Sequence, residues 1–135
     1  MAYLAVAIGG FIGASLRFLI GEWVGTVNGF PIATLCINIA GSLFLAWFYT
    51  ITLERISIHP HIRLGVGTGL VGAFTTFSTF SVETWKLVHA NMLAVAGLYV
   101  GLSFVFGVGA AGLGYYIATR QTRLRFGSVG SDSEL

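Results

Sequence analysis

Hydroxyl and phenylalanine side chains crowd one apolar stretch of the chain, residues 72–81 (GAFTTFSTFS). An ordinary membrane helix would have Leu, Ile and Val at these positions. Hydroxyl groups donate hydrogen bonds, and the edge of an aromatic ring carries positive partial charge, so both can replace water around a small anion. Asn38, in an earlier apolar stretch, adds amide donors. These residue types predict a site for a small anion inside a membrane.

The same stretch favours a break in the helix. Gly69 and Gly72 weaken a helix, and the hydroxyls that follow them compete with the backbone for hydrogen bonds. Non-helical backbone at membrane depth persists only inside protein or beside a wet cavity, because unpaired backbone groups are costly in lipid. A break therefore predicts a pore or a binding site. An alternative stays open: the rings pack against lipid or core, and the hydroxyls donate to carbonyls four residues earlier.

The composition is that of an integral membrane protein. The chain has 135 residues, of which 56% are hydrophobic and 9% charged, whereas soluble domains carry roughly 25% charged residues. We therefore predict an all-α membrane protein with four transmembrane helices, the third broken near the midplane. The net charge of +2 is too small to suggest a nucleic-acid partner. The four segments comprise residues 3–20, 32–53, 64–88 and 92–118.

These segments divide the chain into two regions. Residues 1–119 form the four-helix membrane channel domain, and residues 120–135 form a basic, then polar, cytoplasmic tail that is predicted to be disordered. Four spans place both termini and the 54–63 connection on one side, opposite Lys86. The basic residues on that side place it in the cytoplasm: they are Arg55, Arg63, Arg120, Arg123 and Arg125.

Other polar residues sit within or beside the predicted spans. Arg17, in the first helix, either favours anions in the membrane or extends to the headgroups. Glu83 can pair with Lys86 or Arg17. No acidic residue is expected in the middle of a span, which argues against a cation pathway. In the first helix, Gly9 and Gly13 have the spacing that allows close helix approach.

Three other classes of protein compete with a channel. A small multidrug or cation exporter predicts a carboxylate in the first helix, where this chain has Arg17. A membrane enzyme is not expected, because Ser81 and His89 are more than two helical turns apart and cannot act as nucleophile and base. A non-conducting assembly subunit is favoured only if the polar face is buried and dry.

The run at residues 72–81 and the following Val82-Glu83, with residues 13–17 (GASLR) and 34–38 (TLCIN), resembles the Fluc/CrcB fluoride channel family. The resemblance covers the chain from about Tyr3 to Ala118. It implies a channel that lets cytoplasmic fluoride leave passively across the plasma (inner) membrane, reducing fluoride toxicity. It also implies an antiparallel, dual-topology-type dimer with two pores.

Roles for individual residues follow from the same resemblance. Phe77 and Phe80 match phenylalanines whose ring edges meet fluoride, and Asn38 matches the pore asparagine. Gly72 and Thr75 match the helix break whose backbone carbonyls hold a structural sodium ion, Na+, at the dimer centre. Arg17 matches the arginine of the first helix. Hydroxyl positions along the fluoride route match Thr34, Thr79, Ser81, Tyr99 and Ser103.

Two features depart from the family pattern. Ala73 stands where the family usually has a second glycine at the break. The bias of basic residues toward one side also conflicts with insertion in both orientations, which requires nearly balanced charges. The partner is therefore either a second copy in the opposite orientation or an oppositely oriented paralogue. A homodimer is favoured because the chain retains the pore positions.

Overall fold

The computed structural model describes residues 1–54 and 56–127, with side chains as far as residue 121. This part of the chain is helical, apart from connections and one isolated bridge between Val27 and Phe30. In chain order, the elements are α1 (Ala2–Val24), α2 (Ile32–Glu54), α3 (Pro60–Leu64), a π-helical segment (Gly65–Val71), α4 (Gly72–Phe74), α5 (Phe77–His89) and α6 (Leu93–Gly127).

Three of the described helices are long and apolar enough to cross a membrane. They span Ala2–Val24, Ile32–Glu54 and Leu93–Gln121. The chain is therefore an all-α, multi-pass membrane protein. The third predicted segment, residues 64–88, consists instead of several short pieces from α3 to α5.

Glycines allow α1 to lie directly against the π-helical segment. A Cβ atom at Gly9 would overlap the carbonyl of Gly65, and one at Gly13 would overlap the carbonyl of Leu70. The Gly9 and Gly13 spacing therefore corresponds to the close approach that it predicts. This contact holds the start of the third segment against the first helix.

Helices α2 and α6 form the other main contact of the fold. A Cβ atom at Gly114 would overlap the carbonyl of Leu43 on α2. Near the end of this contact, Trp47 Nε1 donates to Gln121 Oε1 at 3.1 Å. A buried core of Leu35, Leu87, Ala96 and Tyr99 joins α5 to these two helices.

Helix α6 continues past the predicted boundary between residues 119 and 120 and ends at Gly127. The first part of the predicted tail is therefore helical. The rest of that tail, residues 128–135, lies outside the described residues.

Candidate functional site

Two extended residues separate α4 from α5. Thr75 has φ −75° and ψ 157°, and Thr76 has φ −148° and ψ 120°. Thr75 N–H and Thr75 Oγ1 both donate to Val71 O, each at 2.9 Å, and so close the preceding helical turn. Thr76 then caps α5, since its side chain accepts from Thr79 N–H at 3.1 Å. Local hydroxyl bonding thus ends one helix and begins the next.

Asn38 on α2 holds this extended backbone from the side. Its Oδ1 accepts from Thr76 N–H at 2.8 Å, and its Nδ2 donates to Thr76 O at 3.0 Å. An asparagine amide has two N–H donors, so one remains for another partner. Asn38 therefore supports the extended segment as well as offering a donor near it.

The extended segment leaves two backbone carbonyls without their helical donors. In an unbroken α-helix, Thr76 N–H would donate to Gly72 O, and Thr79 N–H would donate to Thr75 O. Here these groups donate to Asn38 Oδ1 and Thr76 Oγ1 instead. Gly72 O and Thr75 O are thus available to another electropositive partner.

The carboxylate of Glu83 lies within the helix bundle between two hydroxyl donors. Thr34 Oγ1 donates to Oε1 at 2.9 Å, and Tyr99 OH donates to Oε2 at 2.8 Å. Among the described side chains, neither Lys86 nor Arg17 forms an ion pair with it. Glu83 is half-buried and lies near the end of the third predicted segment rather than in its middle, and the two donated hydrogen bonds offset the cost of its partial burial.

The predicted pathway hydroxyls differ in what their protons do. Thr34 and Tyr99 donate to Glu83, and Ser81 donates to Phe77 O at 2.9 Å. Ser103 Oγ is buried without a hydrogen-bond partner in the described structure. The hydroxyl of Thr79 accepts from Thr76 Oγ1 at 3.0 Å. Thr79 and Ser103 are therefore the members of this set whose protons are not committed to a described acceptor.

The aromatic rings form a chain beside these hydroxyls. The centroids of Phe77 and Phe80 lie 5.8 Å apart, and those of Phe80 and Tyr99 lie 5.1 Å apart. Phe30 meets Tyr99 nearly edge-on, with an interplanar angle of 81°. Tyr99 is fully buried, whereas Phe77 is 80% exposed on the single chain. The rings thus run from the core to the outer surface.

Two cavities share Thr76 in their linings. One, of about 260 Å³, includes Asn38, Thr75 and Phe77. The other, of about 320 Å³, includes Arg17, Thr34, Thr79 and Glu83. The two cavities thus bring together the side chains of Arg17, Thr34, Asn38, Thr79 and Glu83. Neither described lining includes Phe80, Ser81, Tyr99 or Ser103.

Thr76 is a site residue that was not predicted from the sequence. Threonine is a favoured helix N-cap, and that preference would have pointed to it at the start of α5. Its importance comes from its contacts with Asn38, Ser78 and Thr79.

The fold and the site together define a small multi-pass membrane protein with polar groups and cavities among apolar helices. The family model for CrcB-like protein, Camphor Resistance (CrcB), matches residues 4–115. The chain belongs to the CrcB family.

Curated relatives cover most of the chain. It is 45% identical over 115 residues to the "Fluoride-specific ion channel FluC" of Oceanobacillus iheyensis, covering 85% of this chain and 89% of the relative. It is 40% identical over 134 residues to the "Fluoride-specific ion channel FluC 2" of Carboxydothermus hydrogenoformans, covering 99% of both chains. The match to the second of these relatives thus extends over nearly the whole chain.

Proposed function

We propose that this chain is a fluoride-selective ion channel that lets fluoride leave the cytoplasm passively across the inner membrane and so reduces its toxicity. The observation that carries the proposal is the identity of 40% over 134 residues, nearly end to end, with a relative named as a fluoride-specific ion channel. A channel needs no catalytic residues, so we propose no enzymatic activity.

The chemistry of the site supports fluoride as the permeant ion. A small anion that leaves water needs hydrogen-bond donors and positive partial charges in place of its hydration shell. Thr79 offers a hydroxyl proton in the cavity that Arg17 also lines. Phe77, Phe80 and Ser103 provide ring edges and a further hydroxyl outside that cavity. The positive charge of Arg17 lies in the same cavity lining as the carboxylates of Glu22 and Glu83, which it partly offsets.

The exposure of Phe77 on the outer surface supports the presence of a partner protein. Phe77 belongs to the proposed pathway, yet 80% of its side chain is exposed on the single chain. A pathway residue facing lipid would leave an anion without polar surroundings on one side. We propose that a second copy in the opposite orientation covers it, with an oppositely oriented paralogue as the alternative. In this arrangement, residues 60–89 form a third span that is broken near the midplane.

A structural Na+ ion fits the carbonyls of the break. Gly72 O and Thr75 O have lost their helical donors to Asn38 and Thr76. Carbonyl oxygens are suitable ligands for a hard cation. The charge of the ion would stabilise these two carbonyls, which have no hydrogen-bond donor from a helix. We propose that these two carbonyls from each protomer hold Na+ at the dimer centre.

Ion efflux from liposomes tests the proposed function. Liposomes containing only this protein are expected to release fluoride but not chloride when an ion-selective electrode measures each anion. Phe80→Ile removes a ring edge that would stabilise the anion in the pathway. A loss of about 1.4 kcal/mol is expected to slow fluoride efflux roughly tenfold. Phe104→Ile is the matched control, because Phe104 is 73% exposed on α6 and is not among the rings that contact Phe80, which are Phe77 and Tyr99. Equal release of both anions by the wild-type protein would contradict the proposal.

A further inference from the structure

The hydroxyl of Thr76 makes all three of its possible hydrogen bonds within the chain. Its Oγ1 accepts from Thr79 N–H at 3.1 Å, donates to Thr79 Oγ1 at 3.0 Å, and lies 3.2 Å from Ser78 Oγ. A hydroxyl has one proton to donate and two lone pairs that accept. With its proton on Thr79, Thr76 accepts from Ser78. Only 7% of Thr76 is exposed, so bulk water does not compete for these bonds.

Thr79 differs from several other hydroxyl residues in this protein. A recurring pattern is donation to the carbonyl four residues earlier, as in Ser15, Thr50, Thr52, Thr75, Ser81 and Thr84. For Thr79 that residue is Thr75, which is extended and lies before α5. The described structure contains no other acceptor for the Thr79 proton.

The direction of the Thr79 proton follows from these contacts. Thr79 Oγ1 accepts from Thr76, so its own O–H bond must point elsewhere. Thr79 lines the 320 Å³ cavity together with Arg17, Thr34, Glu22 and Glu83. Because its contact with Thr76 uses a lone pair, Thr79 Oγ1 keeps its proton for a partner in that cavity.

We propose that Thr76 is a positioning residue for anion passage: its hydroxyl orients the hydroxyl of Thr79 so that the Thr79 proton faces the cavity. The inference rests on the proposed function. Without the Thr76 hydroxyl, the Thr79 O–H can turn back toward Ser78 and present a lone pair, which repels an anion. Thr76 itself need not touch the ion.

Fluoride efflux from liposomes, measured per protein dimer, tests the role of the hydroxyl. Thr76→Val removes it while keeping the shape of the side chain, and efflux is expected to fall roughly tenfold, the effect of one lost hydrogen bond to a charged group. Thr76→Ser keeps the hydroxyl and is expected to restore wild-type efflux. Thr84→Val is the matched control, since Thr84 donates to Phe80 O on its own helix, and it is expected to leave efflux unchanged.

A double-mutant cycle separates positioning from simple capping of α5. If Thr76 acts through Thr79, the variant Thr76→Val/Thr79→Val is expected to conduct no more slowly than Thr79→Val alone. A multiplicative loss in the double variant, or wild-type efflux in Thr79→Val, would overturn the inference.

A further variant covers the case in which Thr76→Val does not fold. Thr76→Gly has no side-chain donor, but glycine is about as good an N-cap as threonine, so α5 is expected to form and efflux to show the same tenfold loss. Wild-type efflux in Thr76→Gly would overturn the inference. Absence of fluoride efflux in the unmodified protein would defeat the proposed function itself, and the inference would fall with it.

Discussion

At the scale of single residues, the amide of Asn38 is the contact that stabilises the extended segment from outside its own helix. It both accepts from and donates to the backbone of Thr76. Two such bonds remove most of the cost of leaving an N–H and a carbonyl outside a helix. The side chain also lines a cavity with Phe77, so a change here affects both structure and the proposed ion path.

Replacing Asn38 by Asp is expected to reduce fluoride efflux by at least about a hundredfold. A carboxylate can still accept from Thr76 N–H but cannot donate to Thr76 O. At an effective dielectric constant of about 20, it also repels an anion about 4 Å away by about 4 kcal/mol. Efflux from liposomes measures the loss, and Ser42→Asp in the same cavity lining tests whether charge alone is sufficient. Undiminished efflux in Asn38→Asp would remove Asn38 from the pathway.

At the scale of helices, α2 and α6 owe their close contact to one glycine. Gly114 leaves no room for a Cβ atom beside the carbonyl of Leu43, whereas Gly112 has open space within 4 Å. The two residues are neighbours on the same helix, so a substitution at either has a similar effect on helix propensity. They differ in what lies next to them.

Gly114→Ala is therefore expected to destabilise the protein by about 1–3 kcal/mol, the usual cost of overpacking. Gly112→Ala is the control and is expected to be neutral or slightly stabilising, because alanine favours a helix over glycine. Thermal unfolding in detergent, followed by loss of the monodisperse peak in size-exclusion chromatography, measures both. Equal stability of the two variants would show that α2 and α6 pack differently.

At the scale of the whole molecule, orientation in the membrane determines the partner. Of the seven Lys and Arg residues, five lie on the side of the termini in the predicted topology, which favours a single orientation. A homodimer of opposite orientations needs the chain to insert both ways. The proposed homodimer thus predicts chains inserted in both orientations, whereas the distribution of charge predicts chains inserted in one orientation.

Labelling of a single cysteine distinguishes these populations. Cys36 is the only cysteine, so Cys36→Ala with Ser57→Cys places one thiol in the exposed connection between α2 and α3. In intact cells, a membrane-impermeant maleimide is expected to label about half of the chains, because a dual-topology protein exposes this connection on both sides. Labelling only after the cells are permeabilised would mean one orientation, and would favour an oppositely oriented paralogue as the partner.

The sequence alone was sufficient to determine the membrane class and the family. The length and apolarity of a segment are local properties, so residues 3–20, 32–53 and 92–118 predict helices that the structure contains. The hydroxyl-rich run after Gly72 likewise marks the place where the extended residues Thr75 and Thr76 occur. Such local signals need no knowledge of neighbouring helices.

Only the tertiary structure decided which polar groups meet. The sequence left Glu83 able to pair with Lys86 or Arg17. In the structure it accepts from Thr34 and Tyr99, which lie on other helices. Asn38 reaches Thr76 across 38 residues of sequence. Side chains on separate helices come together only when the rotation and depth of each helix are set, and here glycine contacts such as those of Gly9 and Gly114 set them. Those contacts depend on the packed backbone as a whole, and no single segment encodes them.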